Sequence, residues 1–285
     1  MKIAITGASG YVGTRIADRF RFHGHEVISL TRRPCPAPWI SYTLDDNPFT
    51  IHWSGIDALV HAAYDFQPTN WPEIVEKNVN PSIALLRAAH EAGVRKLIFI
   101  SSMSSFDDCR SNYGKAKLLI ENQVRDLGVL SVRPGLVWGS RSGGVMGSLE
   151  KLVNKTPLVP YLTGSGNLTQ FLVHHEDLSE AIVVLAGEPT SDSSPVRTIA
   201  HATPVPLLSI LKAIATRSGK SRLYLPISWR LLLAGLRCAE MLGLRASFRS
   251  DSLIGLVHGN PSPEITTPPP GIQYRSFLQS FPSRD

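Results

Sequence analysis

Cysteine is scarce in this 285-residue chain: Cys35, Cys109 and Cys238 are the three present. Odd in number and far apart, they offer neither a disulfide framework nor metal-ligand spacing, and they point to a reducing, cytoplasmic setting. Long apolar runs are missing as well. The most apolar stretch, Trp229 to Leu244, is broken by Arg230, Arg237 and Glu240, so it reads as an amphipathic helix, and a soluble protein with no membrane as partner is expected. The chain passes from Met1 and Lys2 straight into a strand signal, without the apolar segment and small-residue cleavage site of a signal peptide. Lys and Arg outnumber Asp and Glu by 29 to 23, a formal net charge of +6, yet no basic run interleaved with aromatics occurs. The basic balance suits an anionic cofactor and substrate and fits non-specific nucleic-acid binding as easily; without such a run, no nucleic-acid partner is expected.

What is there is alternation. Strand signals at Lys2–Thr6, Glu26–Leu30, Ala58–Ala62, Leu97–Ser101 and Val129–Arg133 are separated by helix signals at Tyr11–Phe22, Trp71–Ala92 and Asn112–Leu127. This is the pattern of an α/β fold, a parallel sheet covered on both faces. Pro81 falls inside the second helix signal; with Asn80 as cap and Pro81 at a first helical position, two abutting helices are expected. The Pro-rich Pro34 to Pro38 reads as an irregular connection. Past Gly139 come two Gly/Ser-rich turns, Ser140–Gly144 and Thr163–Asn167, and helix signals at Glu176–Ala186, Leu207–Arg217, Trp229–Leu242 and Ser247–Val257. The last twenty or so residues, rich in Pro and Ser, read as a partly ordered tail. The simplest division places a dinucleotide domain at 1–160, with helix 176–187 packing back on it, and a smaller lobe at 161–285 across a cleft.

Gly7, Gly10 and Gly13 sit where the first strand turns into the first helix. Without side chains there, backbone N–H groups can approach a pyrophosphate at the helix N-terminus, where the dipole favours an anion. The spacing is G-x-x-G-x-x-G, and its position between a strand and an amphipathic helix supplies the context such a motif needs. The second strand ends near Leu30, where an NAD site presents a carboxylate to the adenosine ribose; here Thr31-Arg32-Arg33 follows. A guanidinium pairs with a 2′-phosphate that a carboxylate repels, so NADP is favoured over NAD as cofactor. The alternative for Arg32 and Arg33 is a pair of solvated loop residues.

Tyr113 and Lys117 lie four residues apart, on one face of their helix, and Ser101-Ser102 end the preceding strand. A carbonyl that accepts hydride needs a proton as charge develops on oxygen. A tyrosine supplies it where an ammonium stabilises the phenolate, and a serine hydroxyl polarises and holds the same oxygen. Lys117 is also placed to bond a nicotinamide ribose. His174 and His175 raise a metal site, but neighbours on a strand face opposite ways and Glu176 and Asp177 read as helix-capping carboxylates, so no metal is expected. Trp138, Phe171 and Tyr161 read as packing residues, whereas Tyr64 and Phe66 directly follow a strand end and face the expected cleft.

At these residues the chain resembles an extended short-chain dehydrogenase/reductase of the nucleotide-sugar epimerase/dehydratase type. The resemblance runs over residues 1 to 180: TGASGYVG, Asp57 to Ala63, Asn78-Val79, Phe99 to Ser102, Tyr113-x-x-x-Lys117, Arg133-Pro134 through Gly139, and Val173 to Asp177. It implies a doubly wound (Rossmann) sheet with a smaller C-terminal α+β substrate lobe. By the same resemblance Ser102, Tyr113 and Lys117 are catalytic. The cofactor lies along Gly7, Gly10, Tyr11, Val12, Gly13, Ala62, Ala63, Pro134, Leu136 and Val137, with Tyr113 and Lys117. It also implies a nucleotide-sugar substrate and pairing into a homodimer. Arg249 resembles an arginine that clamps the substrate diphosphate in relatives; a surface helix residue is the equal alternative. Departures concern the substrate: Phe106-Asp107 stands where Tyr-Gly is usual, the gap from serine strand to Tyr113 is short, and Gln170 replaces an arginine.

The leading expectation is an NADP(H)-dependent reductase of a 4-keto nucleotide sugar. A nucleotide-sugar 4-epimerase stays close behind, followed by a reductase of another ketone or aldehyde and by a non-catalytic dinucleotide-binding protein. A dehydratase is disfavoured, because Met103-Ser104 follows the serine where the elimination acids would stand.

Overall fold

The computed structural model describes residues 1–32, 34, 38–166, 168–189, 196–244 and 248–281. The first half holds β1 (Lys2–Thr6), α1 (Tyr11–Phe22), β2 (Glu26–Thr31), β3 (Trp39–Ser41), β4 (Ala58–His61), α2 (Trp71–Ile74), α3 (Asn80–Glu91), β5 (Lys96–Ile100), α4 (Asn112–Gln123) and β6 (Leu130–Pro134). There follow β7 (Leu136–Trp138), α5 (Gly144–Lys155), β8 (Leu158–Thr163), β9 (Thr169–Gln170), β10 (Leu172–His174), α6 (His175–Gly187) and β11 (Val196–Ile199). The chain continues through β12 (Val205–Pro206), α7 (Leu207–Arg217), β13 (Leu223–Ser228), α8 (Trp229–Met241) and α9 (Ser250–Val257).

Seven strands form one sheet in the order β3-β2-β1-β4-β5-β6-β11, every neighbouring pair parallel. The strand order reverses between β1 and β4, so the carboxyl ends of these two strands, Thr6 and His61, bound the crevice where ligands bind in doubly wound sheets. Buried on both faces, the central strands read as continuous apolar runs and split their side chains by alternation. Ile3, Ile5 and Val60 join one cluster with Ile16 and Phe20 of α1 and Leu178, Ala181, Ile182 and Leu185 of α6. Ala4, Leu59, Leu97 and Phe99 join the other with Leu85 and Leu86 of α3 and Ala116 and Ile120 of α4. A third cluster, including Trp138, Met146, Leu149, Val153, Leu172, Ile210 and Phe277, gathers β7, α5, β10 and α7.

Four local expectations change. Residues 71–91 are not two abutting helices: α2 continues through a π-turn at 75–79 into α3, and Asn80 is helical (φ −60°, ψ −45°) with no capping role. The wider π-turn accommodates Pro81, which lacks an N–H and crowds the preceding turn. The short strand β3 and the late strand β11 extend the sheet at its two edges. The C-terminal segment is anchored as far as its described residues go: Tyr274 and Phe277 are buried, and Arg275 pairs with Glu176 and Asp177. Finally, His174 and His175 do not face opposite ways. Their ring centroids are 4.4 Å apart, because His174 caps α6 and His175 is its first residue. Among the described residues no group of three or more His, Cys, Asp or Glu is arranged to hold a metal.

Candidate active site

The first turn of α1 shows why glycine recurs there. Gly7 has φ +68°, and a Cβ on it would stand 2.8 Å from the Ala63 nitrogen, so the turn lies directly on the Ala62–Ala63 backbone. A Cβ on Gly13 would come 2.1 Å from the Gly7 carbonyl oxygen. The loop and the helix therefore touch backbone to backbone. Gly10, the N-cap of α1, offers no side-chain acceptor, which leaves the helix's first N–H groups for an anion. Val12 packs inward against the sheet cluster, while Tyr11 lies at the rim with its ring against Gly143 and edge-on to His175.

Behind this turn stands a buried hydroxyl–imidazole pair that the sequence reading did not single out. Thr6 Oγ1 accepts the N–H groups of Ala62 at 3.1 Å and Ala63 at 3.2 Å, and lies 2.7 Å from His61 Nδ1. With both amides accepted, the hydroxyl proton goes to Nδ1, so Nε2 carries the imidazole proton and donates to Ser82 Oγ at 2.8 Å. Burial pushes the His61 imidazole down to about 3, reinforced by the Lys117 charge. The only sequence signal was a histidine at the end of an apolar strand.

Ser102, Tyr113 and Lys117 come together where β5 ends and α4 begins. A Cβ on Gly114 would stand 2.1 Å from the Ser104 carbonyl oxygen, so this glycine lets the turn after β5 lie on α4 beside Tyr113. Ser111 caps α4, its Oγ accepting the Gly114 N–H at 3.1 Å. Burial pushes the Tyr113 phenol up to about 12, with the adjacent Ser102 hydroxyl acting the other way. Lys117 is 2% exposed; its Nζ donates to the Ile100 carbonyl at 2.8 Å and lies over the rings of Phe99 and Tyr64 at 4.6 and 5.1 Å. Burial lowers the ammonium to about 7, and Glu121, one helical turn further along α4, opposes that shift. Glu121 itself accepts from Ser101 Oγ and from the Arg133 guanidinium.

Tyr64 and Phe66 roof this group. Tyr64 meets the Tyr113 ring edge-on at 5.0 Å, and Phe66 stacks on it at 5.8 Å with 25° between planes. Arg249, just before α9, donates to the carbonyl oxygens of Phe66 and Pro68, tying the C-terminal lobe to the roof loop. Asn78 fastens the same loop by exchanging hydrogen bonds with the Asp65 backbone, at 2.6 and 3.0 Å. Pro134 lies alongside the serine turn, its carbonyl accepting the Met103 N–H at 3.1 Å; Val137 packs against the sheet cluster and Leu136 against the lobe cluster. Gln170 reaches α9, donating to the Leu256 carbonyl at 2.9 Å. Arg32 is exposed just past β2, and Arg33 lies outside the described residues. A cavity of about 460 Å³ opens on the other flank of the loop before α4, lined by Phe106, Asp108, Arg110, Val257, His258 and Pro261, and none of Ser102, Tyr113 and Lys117 borders it.

The site thus gathers an anion-receptive helix terminus, a serine, a tyrosine and a buried lysine along the ends of β1, β4 and β5. The chain is similar to a UDP-glucose 4-epimerase of Lactobacillus helveticus, 26% identical over 210 residues that cover 60% of this chain and 63% of that protein. It is 25% identical over 204 residues to an uncharacterized protein of Mycobacterium bovis, covering 69% of this chain but spanning only 21% of that relative's length. Among solved structures, MoeE5 in complex with UDP-glucose and NAD shares the fold, with a TM-score of 0.68 and 24% identity over 80% of this chain and 85% of that one. Residues 3–199 match the model of the NAD dependent epimerase/dehydratase family, and the chain belongs to that family.

Proposed function

We propose that this chain is an NADP(H)-dependent oxidoreductase that reduces a 4-keto nucleotide sugar. The observation that carries the reading is the meeting of Ser102, Tyr113 and buried Lys117 beside the turn held by Gly7 and Gly13. The residues fit a dinucleotide: the cradle at Gly7 and Gly13 has no room for a Cβ, and the α1 terminus has no side-chain cap of its own. Gly7, Gly10, Tyr11, Val12 and Gly13 would hold its pyrophosphate, Arg32 and Arg33 its 2′-phosphate, and Ala62, Ala63, Pro134, Leu136 and Val137 its path towards Tyr113. When bound, the nicotinamide supplies the hydride.

The chain's own groups do the rest. Tyr113 donates its phenolic proton to the carbonyl oxygen as charge develops there, and Ser102 donates a hydrogen bond to the same oxygen. Lys117 makes the phenol a better acid by placing a cation beside the phenolate, at the cost of a buried charge that Glu121 helps to offset. Tyr64 and Phe66 shield the phenol from water. Arg249, bonded to the Phe66 and Pro68 carbonyls, is the candidate contact for a diphosphate.

A second reading, an NAD-dependent nucleotide-sugar 4-epimerase, uses the same three residues and is supported by the similarity to the Lactobacillus helveticus enzyme. Calorimetric titration of cofactor-stripped protein with NADP, NAD, UDP and dTDP separates the two. Tight NADP and nucleotide binding supports the reductase. Tight NAD binding, or NAD that copurifies, supports the epimerase. Cofactor binding without nucleotide binding removes the sugar nucleotide from both readings.

A further inference from the structure

The outer side of the C-terminal lobe carries apolar surface that the proposed chemistry does not use. α8 is 13 residues long and buries none of them. Leu232, Leu233, Leu236 and Ala239 are half-buried on its inner side, whereas Leu231, Gly235, Cys238 and Leu242 recur at intervals of three and four on the other, all exposed. Leu231 is 70% exposed, Leu242 78% and Met241 87%, and β13, which runs into α8, leaves Leu223 73% exposed. This is a continuous stripe, and its hydration would be unfavourable in a protein with no use for it.

Charge identifies the occupant. Arg230 and Arg237, seven residues apart and both exposed, run along one flank of the stripe. From Ser218 to Ser250 the chain has Lys220, Arg222, Arg230, Arg237, Arg245 and Arg249 against a single acid, Glu240. That carboxylate is engaged, accepting the Ser250 N–H at 2.8 Å and its hydroxyl at 2.6 Å. A second copy docking here would bring two basic flanks to one seam with no acid between them. A surface that is apolar within and anionic at its edge matches both features.

We propose that α8 docks this protein on an anionic lipid surface, lying in the interface with its leucine stripe inserted and Arg230 and Arg237 at the headgroups. At about 1.5 Å per residue its 13 residues reach roughly 20 Å, short of the ~30 Å hydrocarbon core, so it lies on the bilayer and does not cross it. Among the described residues no helix is long and apolar enough to cross a membrane.

The test is sedimentation of the full chain with large vesicles of phosphatidylcholine alone or mixed in equal amounts with phosphatidylglycerol. Binding is expected to the mixed vesicles only, and to weaken with salt. Leu231→Glu with Leu242→Glu should lower partitioning at least about tenfold. Arg230→Gln with Arg237→Gln should lower it roughly thirtyfold at low salt and flatten the salt dependence. Thermal midpoints should stay at the wild-type value, since these side chains bury little. As a readout independent of folding, an environment-sensitive dye on Cys238, in a Cys35→Ser background, should shift to the blue with mixed vesicles. Failure to sediment with mixed vesicles, binding indifferent to the substitutions, or an unshifted dye would overturn the proposal. So would self-association of the wild type that Leu231→Glu abolishes, because a second copy would then cover the stripe.

Discussion

Asp251, in the first turn of α9, accepts the backbone N–H of Tyr113 at 3.0 Å with one carboxylate oxygen and that of Asn112 at 2.6 Å with the other. A carboxylate from the C-terminal lobe therefore completes the N-terminus of the helix that presents Tyr113 and Lys117. It satisfies two of the orphan donors there and places a negative charge at the positive end of the helix dipole. Substituting Asp251→Ala should cost about 1–2 kcal/mol in denaturant unfolding. It should also lower kcat, because the start of α4 loses its lateral restraint. Lost stability with unaltered kcat would make Asp251 a fastener between lobes and nothing more.

Tyr113→Phe removes the phenolic proton and leaves the ring contacts with Tyr64 and Phe66. Turnover should fall about 10²–10⁴-fold while dinucleotide affinity stays nearly unchanged. Single-turnover kinetics alongside calorimetry reads both. Full activity would exclude Tyr113 as the acid and send the search to Ser102.

At Gly13 a methyl group meets the Gly7 carbonyl oxygen at 2.1 Å, and a backbone atom has nowhere to move. Gly13→Ala should abolish dinucleotide binding and lower the unfolding midpoint. Gly24→Ala is a control of a different kind: φ is +76° there, with nothing within 4 Å, so it strains the backbone far from the turn and should leave binding intact. Equal binding losses in both would mean that stability, and not the cradle, was being read.

The glycine turn, the serine–tyrosine–lysine set and the parallel sheet were legible in the sequence because each rests on local rules. Gly7, Gly10 and Gly13 sit between a strand and a helix, Tyr113 and Lys117 are one turn apart, and β1, β4 and β5 are uninterrupted apolar runs. What escaped depends on contacts between distant segments. β11 contributes four residues that pair with β6 only after more than sixty residues of intervening chain. β3 has three residues and little burial. The π-turn before Pro81 is a backbone accommodation for which no residue type codes. Asp251 read as part of a helix, since nothing in its neighbourhood reveals that it caps α4. The Tyr274–Phe277 anchor was hidden by a Pro- and Ser-rich composition that resembles a tail.

His61 should give the fold a pH dependence. Its folded value lies near 3, below the ordinary 6.5, because burial holds the imidazole neutral between Thr6 and Ser82. Between those values the unfolded chain binds a proton that the native protein refuses, so stability falls as pH falls through this window and is unaffected above it. The slope from this one group is at most about 1.4 kcal/mol per pH unit. His61→Asn should show a shallower loss between pH 6.5 and 4.5 in urea unfolding. Parallel curves would mean that the imidazole is protonated in the native state.

Lys117 carries the opposite kind of sensitivity, in rate. Burial brings its ammonium to about 7, and the nearby Glu121 carboxylate keeps it from falling further. Since kcat/KM reports groups in the free enzyme, turnover by the proposed mechanism should decline as pH rises through about 7, where Lys117 loses its proton and Tyr113 the cation proposed to make it acidic. Glu121→Gln removes the negative charge that favours the ammonium, so the same limb should move to lower pH. Glu121→Asp, which keeps the charge and can still face Arg133, should restore much of the wild-type profile. If Glu121 served only as a partner for Arg133 and Ser101, both substitutions would lower stability and leave the limb where it was. A limb that moves with the charge at 121 ties Lys117 protonation to turnover; a profile flat through pH 9 removes that ammonium from the rate.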